Sequence, residues 1–139
     1  MADFTVKRTD EMETIFDGIV HRARASLGAT SVGMQVMHFP AGWEGYPNHD
    51  HLNDSADESD LGQEEIYIAL GGSATLQVDG DEHVLEPGVL ARVGPGQKRR
   101  IVPGPAGFRM VAVGGRPGEA YAPPAWTELG GPVPVPPGA

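Results

Sequence analysis

The stretch Pro47-Asn48-His49-Asp50-His51 sets two histidines two residues apart. On an extended chain, residues i and i+2 face the same way, so the two imidazoles are presented side by side to one ligand. Further on, the apolar run Glu65-Ile66-Tyr67-Ile68-Ala69-Leu70 opens on a carboxylate that a neighbouring strand can bring to the same point. Two imidazoles and one carboxylate on one face suit a divalent transition metal. The arrangement is typical of non-haem iron; manganese, nickel, zinc and copper tolerate related sets, and positions stay open for oxygen or substrate. The assignment depends on strand phase, because Glu64 must face outward for Glu65 to face in.

The elements that must position these groups are short strands. Twenty glycines and 13 prolines punctuate the 139 residues at intervals, without a collagen-like period. Apolar runs expected as strands are Val32 to Phe39, Glu65 to Leu70, Ala74 to Val78, His83 to Leu85, Val89 to Val93, Arg99 to Val102 and Phe108 to Val113. Between them lie the turn signals Gly71-Gly72, Asp79-Gly80-Asp81, Pro87-Gly88, Gly94-Pro95-Gly96 and Pro103-Gly104-Pro105, with Asp79-Gly80 the clearest hairpin. No room is left for crossover helices, so an all-β sandwich or barrel is expected. Before this core, residues 10–16 suit one or two helical turns and residues 19–25 a strand or further helix. After it, residues 114–139 are rich in Pro and Gly, with Tyr121 and Trp126 as anchors, and are expected to lie irregularly over the barrel. The organisation expected is one domain: an N-terminal segment over 1–31, the barrel over 32–113 and the tail over 114–139.

Bulk properties exclude several functions. The chain has no cysteine, so disulfides, thiolate ligands and a thiol nucleophile are ruled out. A formal charge of −9 argues against a nucleic-acid partner, whose affinity rests on clustered Lys and Arg. No stretch approaches the roughly 20 apolar residues of a membrane helix and no signal peptide opens the chain, so no membrane partner and a cytoplasmic location are expected. The acidic residues 53–60 read as a solvated mobile loop. There is no nucleophile elbow, no phosphate-cradling glycine loop and no dinucleotide fingerprint.

Residues Gly42 to Gly72 resemble the first motif of the cupin superfamily: a glycine, the His49-x-His51 pair, then Glu65, six residues and Gly72. Gly88, five residues and Gly94-Pro95-Gly96 resemble the second motif. The resemblance spans residues 32 to 113 and implies the cupin double-stranded β-helix, a jelly-roll barrel, with a metal held by His49, His51 and Glu65. The sequence departs from the pattern in three places. Gly42 is one residue too far from His49, a difference that a bulge absorbs. Thirteen residues separate His51 from Glu65 where the family has three or four. The second-motif histidine falls on Arg99 and the asparagine that often follows falls on Pro103.

Arginine has no lone pair for a cation, so Arg99 replaces the family's fourth ligand with a charge. Two outcomes follow. Arg99 pairs with Glu65 in place of a metal, or a three-ligand metal remains and Arg99 or Lys98 binds an anionic group of the substrate. Among the remaining residues, His38 is a candidate fourth ligand but reads more simply as a core or edge histidine, His83 as a surface residue, and His21 as a solvated neighbour of Arg22 and Arg24. Tyr67 is a candidate general acid or a hydrogen-bonded core tyrosine; Trp43 and Tyr46 are candidates for the pocket rim or for packing. With Glu65 turned inward, Ile66, Ile68 and Leu70 form an apolar outer row that needs a cover, and a homodimer is the expected one.

The expected function is therefore small-molecule binding in a cupin barrel, with a divalent metal and, if catalytic, oxygenation or isomerisation of a small polar or anionic organic substrate. The alternative is a metal-free binding or sensing cupin in which Arg99 neutralises the pocket.

Overall fold

The computed structural model describes residues 2–52 and 62–121. The acidic stretch 53–60 and Trp126, with the rest of the tail from residue 122, lie outside the described residues. A 3-10 turn at Thr9–Glu11 leads into β1 (Thr14–Ile15), β2 (Val20–His21), helix α1 (Ala23–Leu27), β3 (Gly33–Phe39), β4 (Glu64–Val78), β5 (Asp81–Leu85), β6 (Leu90–Val93) and β7 (Arg99–Gly115). The protein is all-β, and its strands make one antiparallel sheet in the order β1-β2-β3-β7-β4-β5, with β6 also on β4. The sheet curls around a core without closing into a ring.

Two expected turns are absent because the chain bends there without reversing. Gly71-Gly72 lies inside β4, and Pro103-Gly104-Pro105 lies inside β7. The two long strands pair along their whole lengths, from Glu64↔Gly115 to Val78↔Arg99, with register shifts at Ala69/Gly71 and Gly72/Ala74. Such bulges sharpen the local twist and fold a long ribbon over a core. Gly72 and Gly107 make this bend possible: both have positive φ (71° and 79°), and a Cβ on Gly72 would run into the Gly107 carbonyl oxygen. β4 changes partner across the bend, pairing with β6 before it through Glu65↔Val93 and with β5 past it through Ala74↔Leu85. The β4–β5 hairpin turns at Asp79 and Gly80, both at positive φ, the geometry that matches the twist of the flanking strands.

The N-terminal segment resolves into short pieces: β1 and β2 extend the sheet at the edge of β3, and α1 packs on β3. Strand register sets the faces. Phe39, Phe108, Met110, Ala112, Tyr67 and Ala69 point into the core with Leu76, Leu85 and Ile101. On the opposite face of β4, Ile66 and Leu70 are exposed, as is Leu90 on β6. No helix of the described residues is long and apolar enough to cross a membrane.

His21 is not the solvated residue its arginine neighbours suggest. It is buried, as are Arg22 and Arg24, because β2 is covered by the 3-10 turn and α1 follows at once. Its Nδ1 sits 3.1 Å from the Thr9 carbonyl oxygen and its ring lies 4.3 Å from that of His38.

Candidate metal centre

His49 and His51 are fastened to the barrel by backbone bonds rather than by a strand of their own. The His49 N–H donates to the Arg99 carbonyl (3.0 Å), the Arg99 N–H returns to the His49 carbonyl (2.8 Å), and the His51 N–H donates to the Pro95 carbonyl (2.8 Å). A single β-bridge, His49↔Arg99, results. The side-by-side arrangement expected of a regular strand is replaced by an edge-to-face one, with ring centroids 5.1 Å apart at 71°. His49 Nδ1–H donates to the Pro47 carbonyl at 2.9 Å, which leaves the Nε2 lone pair free to bind a cation.

Glu65 enters from the start of β4. Alternation turns it inward and Glu64 outward, where Glu64 pairs with Arg92 at 2.7 Å. Glu65 Oε1 lies 2.6 Å from His51 Nε2, accepts the Tyr67 hydroxyl at 3.0 Å, and has Arg99 Nη1 at 3.8 Å. One ligand atom from each of His49, His51 and Glu65 lies within 4.8 Å of the others, and they are the group of three or more potential ligands found among the described residues.

Arg99 sits behind this cluster, with no exposed surface. Its Nη2 donates to the carbonyls of Gly94 (2.7 Å) and Val93 (3.4 Å), which holds the guanidinium to the β6 end. At 3.8 Å, Nη1 is beyond hydrogen-bond reach of Glu65, so the carboxylate keeps its lone pairs while feeling the positive charge. Burial pushes the Glu65 carboxyl up, but the His51 contact, the charges of His51 and Arg99 and the Tyr67 hydroxyl together hold it below its ordinary value. Burial pushes the His49 imidazole down, and His51 and Arg99 add to this against the raising effects of Pro47 and Glu65. The donor set is thus an ionised carboxylate and a neutral imidazole with a free Nε2, beside a second imidazole. That chemistry fits a divalent transition metal.

The cluster opens on a cavity of about 450 Å³. Its wall includes His49, His51 and Glu65 at one side and Phe16, Ile19, Met37, Phe39, Trp43 and Tyr46 elsewhere. Phe39 and Trp43 are stacked at 5.5 Å. Of the residues expected to meet substrate, Trp43 lines this cavity, whereas Arg99, Lys98 and Tyr67 do not. Lys98 is exposed, as alternation requires beside an inward Arg99. Tyr67 is fully buried, and burial together with Tyr46 and Glu65 raises its hydroxyl well above the ordinary tyrosine value. It accordingly stays protonated and donates to Glu65. His38 is occupied by His21 on the outer side of β3, and His83 is exposed. Gln63, which sequence reasoning passed over, is buried in the cavity wall. The signal was present, since it stands two residues before Glu65 and two-residue alternation carries it to the same face.

No protein-family profile matches the chain. No curated protein matches it either. Solved structures do. A sugar phosphate isomerase of the cupin superfamily from Silicibacter pomeroyi superposes with a TM-score of 0.64 at 20% identity, over 81% of this chain and 76% of that one. KdgF from a Halomonas species gives 0.60 at 12% identity, over 82% and 93%. A cupin protein from Bacteroides fragilis gives 0.58 at 21% identity, over 88% and 93%. The fold of this protein is the cupin fold.

Proposed function

We propose that this protein is a metal-dependent cupin in which His49, His51 and Glu65 hold a divalent transition metal at the wall of the cavity, and that it oxygenates or isomerises a small organic molecule bound there. The observation that carries this reading is the convergence of those three ligand atoms within 4.8 Å on a cavity of about 450 Å³, inside the range of small-molecule sites. A metal bound there supplies Lewis acidity and open coordination positions.

The chain's own residues do the rest. Tyr67 donates to Glu65 and orients it, Pro47 fixes the His49 tautomer, and Arg99 places a positive charge behind the carboxylate that favours an anionic group in front. Phe39, Trp43 and Tyr46 present a mostly apolar wall that excludes water from the reacting end of the substrate. This wall refines the expectation of a small polar or anionic organic substrate: the molecule bound has a polar or anionic end and an apolar body. Isomerisation is the activity in the name of the Silicibacter structure, and the shared fold makes it one of the two reaction classes to screen.

A second reading has a specific observation in its favour. Arg99 Nη1 lies 3.8 Å from Glu65 and His51 Nε2 lies 2.6 Å from it, so a proton between His51 and Glu65 can take the place of a metal. The protein would then be a metal-free binding or sensing module. Calorimetric titration with Mn²⁺, Ni²⁺ and Zn²⁺ separates the two. One site per chain in the wild type and none in His49→Ala is the expected result; no binding by the wild type selects the second reading.

The apolar outer row supports a homodimer as part of this proposal. Ile66, Leu70 and Leu90 are exposed on neighbouring strands, with the Glu64–Arg92 pair beside them. Leu90→Glu is expected to shift a dimer to monomer in analytical ultracentrifugation, and a wild type that sediments as a monomer removes this part.

A further inference from the structure

Gln63 is 6% exposed, lines the cavity, and its amide Nε2 is buried with no hydrogen-bond partner among the described residues. A buried amide donor left without an acceptor is costly, on the order of the full desolvation of the group, and such groups persist where something else supplies the partner. The amide is confined on its other side: a Cβ on Gly114 would come within 2.6 Å of Gln63 Oε1, so the backbone of β7 leaves little room for it to retreat. Gln63 also precedes Glu65 by two residues, which puts its donor and the candidate metal ligand on one wall.

We infer that Gln63 is a substrate-binding residue: its Nε2–H donates to a carbonyl or carboxylate oxygen of a ligand whose apolar, aromatic-sized body lies along Phe16, Ile19, Phe39 and Trp43. The inference rests on the proposed small-molecule site and names the class of molecule it takes. The class follows from the division of the cavity. Charged and metal-ligating groups gather with Gln63 at His49, His51 and Glu65, while most of the remaining wall is aliphatic and aromatic, Gln35 being the other amide on it. A ligand with an oxygen acceptor at one end and a ring at the other satisfies both halves. A small hydrophilic acid satisfies only the first and leaves the apolar wall in contact with water. The positive charge of Arg99 behind Glu65 offsets that carboxylate and lowers the cost of an acidic head in front of it.

The test uses two 2-oxo acids with the same head, phenylpyruvate and pyruvate, titrated by calorimetry into the full chain with and without Zn²⁺, with metal content measured on each sample. The wild type is expected to bind phenylpyruvate at least about tenfold tighter than pyruvate, the ring supplying the difference. Gln63→Leu is expected to lose roughly tenfold for phenylpyruvate while keeping the wild-type Zn²⁺ content. Gln63→Glu, which keeps the shape and removes the donor, is the second variant should the leucine disturb folding, and it is expected to lose at least as much. Equal affinity for the two acids, no binding of phenylpyruvate by the wild type, or unchanged affinity in both variants overturns the inference. Failure of the metal reading shows separately, as wild type that takes up no Zn²⁺; phenylpyruvate affinity that still depends on Gln63 in that sample supports the inference on its own.

Discussion

Two pairs of histidines lie ring against ring in this molecule, and their surroundings differ in one respect. His49 and His51 meet at 5.1 Å, His21 and His38 at 4.3 Å. In each pair one Nδ1 is set by a backbone carbonyl, Pro47 for His49 and Thr9 for His21. The third partner separates them. His51 has the carboxylate of Glu65 at 2.6 Å, whereas His38 sits across the ladder from Arg109, a cation. Two imidazoles in contact are therefore not a metal site in themselves. An anion beside them draws a cation in, and a guanidinium keeps one out. The same contrast explains the role given to Arg99, which is held against the Val93 and Gly94 carbonyls and stays at 3.8 Å from the carboxylate it would otherwise neutralise.

The largest effect comes from removing the anion. Glu65→Gln turns the first pair into a neutral copy of the second, and metal affinity is expected to fall by at least the roughly 100-fold that marks the upper end for losing an outer partner. Competition against a chromophoric chelator measures it. Affinity within threefold of the wild type would mean that the histidines alone suffice and that the comparison drawn above is wrong.

Removing the cation behind the site sharpens the contrast in the other direction. Arg99→Met takes a buried charge from beside Glu65 and is expected to lower the unfolding free energy by about 3 kcal/mol in urea titrations. Metal affinity in the same variant is expected to rise, because a repelling charge is gone. A fall in affinity would show that Arg99 holds Glu65 in its binding position.

The smallest effect belongs to the outer pair. His38→Gln is expected to leave metal content unchanged while altering the pH dependence of stability. Burial, then His21, then Arg109 lower the His38 imidazole below its ordinary value of 6.5. His49 is lowered too, burial again leading. Between these lowered values and 6.5 the two imidazoles bind fewer protons in the folded chain than in the unfolded one, so their contribution to stability is lost as the pH falls below 6.5. His38→Gln removes one of the two contributions and should make that slope shallower in thermal unfolding between pH 7 and roughly pH 5. An unchanged slope would remove His38 from the account.

Much of the site was legible because its signals are local. Two histidines at i and i+2, and a glutamate opening an apolar strand, carry their own geometry. Their edge-to-face arrangement was not legible, since it follows from the single bridge to Arg99 and the bond to Pro95 rather than from a regular strand. In the fold, the Asp79-Gly80 hairpin was readable from residue type. The continuity of β4 and β7 was not: Gly71-Gly72 and Pro103-Gly104-Pro105 carry the composition of turns, and only the pairing of two bulged strands shows that they bend the ribbon instead. His21, Arg22 and Arg24 misled for a related reason. Charge near a chain terminus reads as solvated, whereas the Thr9 carbonyl of the 3-10 turn lies against His21, and α1, which carries Arg24, packs on β3.

Elemental analysis of the purified wild-type protein beside His51→Ala tests the metal centre most directly. The account predicts a transition metal at close to one per chain in the wild type and its loss in the variant. A wild type without metal even after reconstitution with Fe²⁺, Mn²⁺, Ni²⁺, Zn²⁺ and Cu²⁺ would contradict it and leave a cupin whose His51–Glu65 pair is closed by a proton.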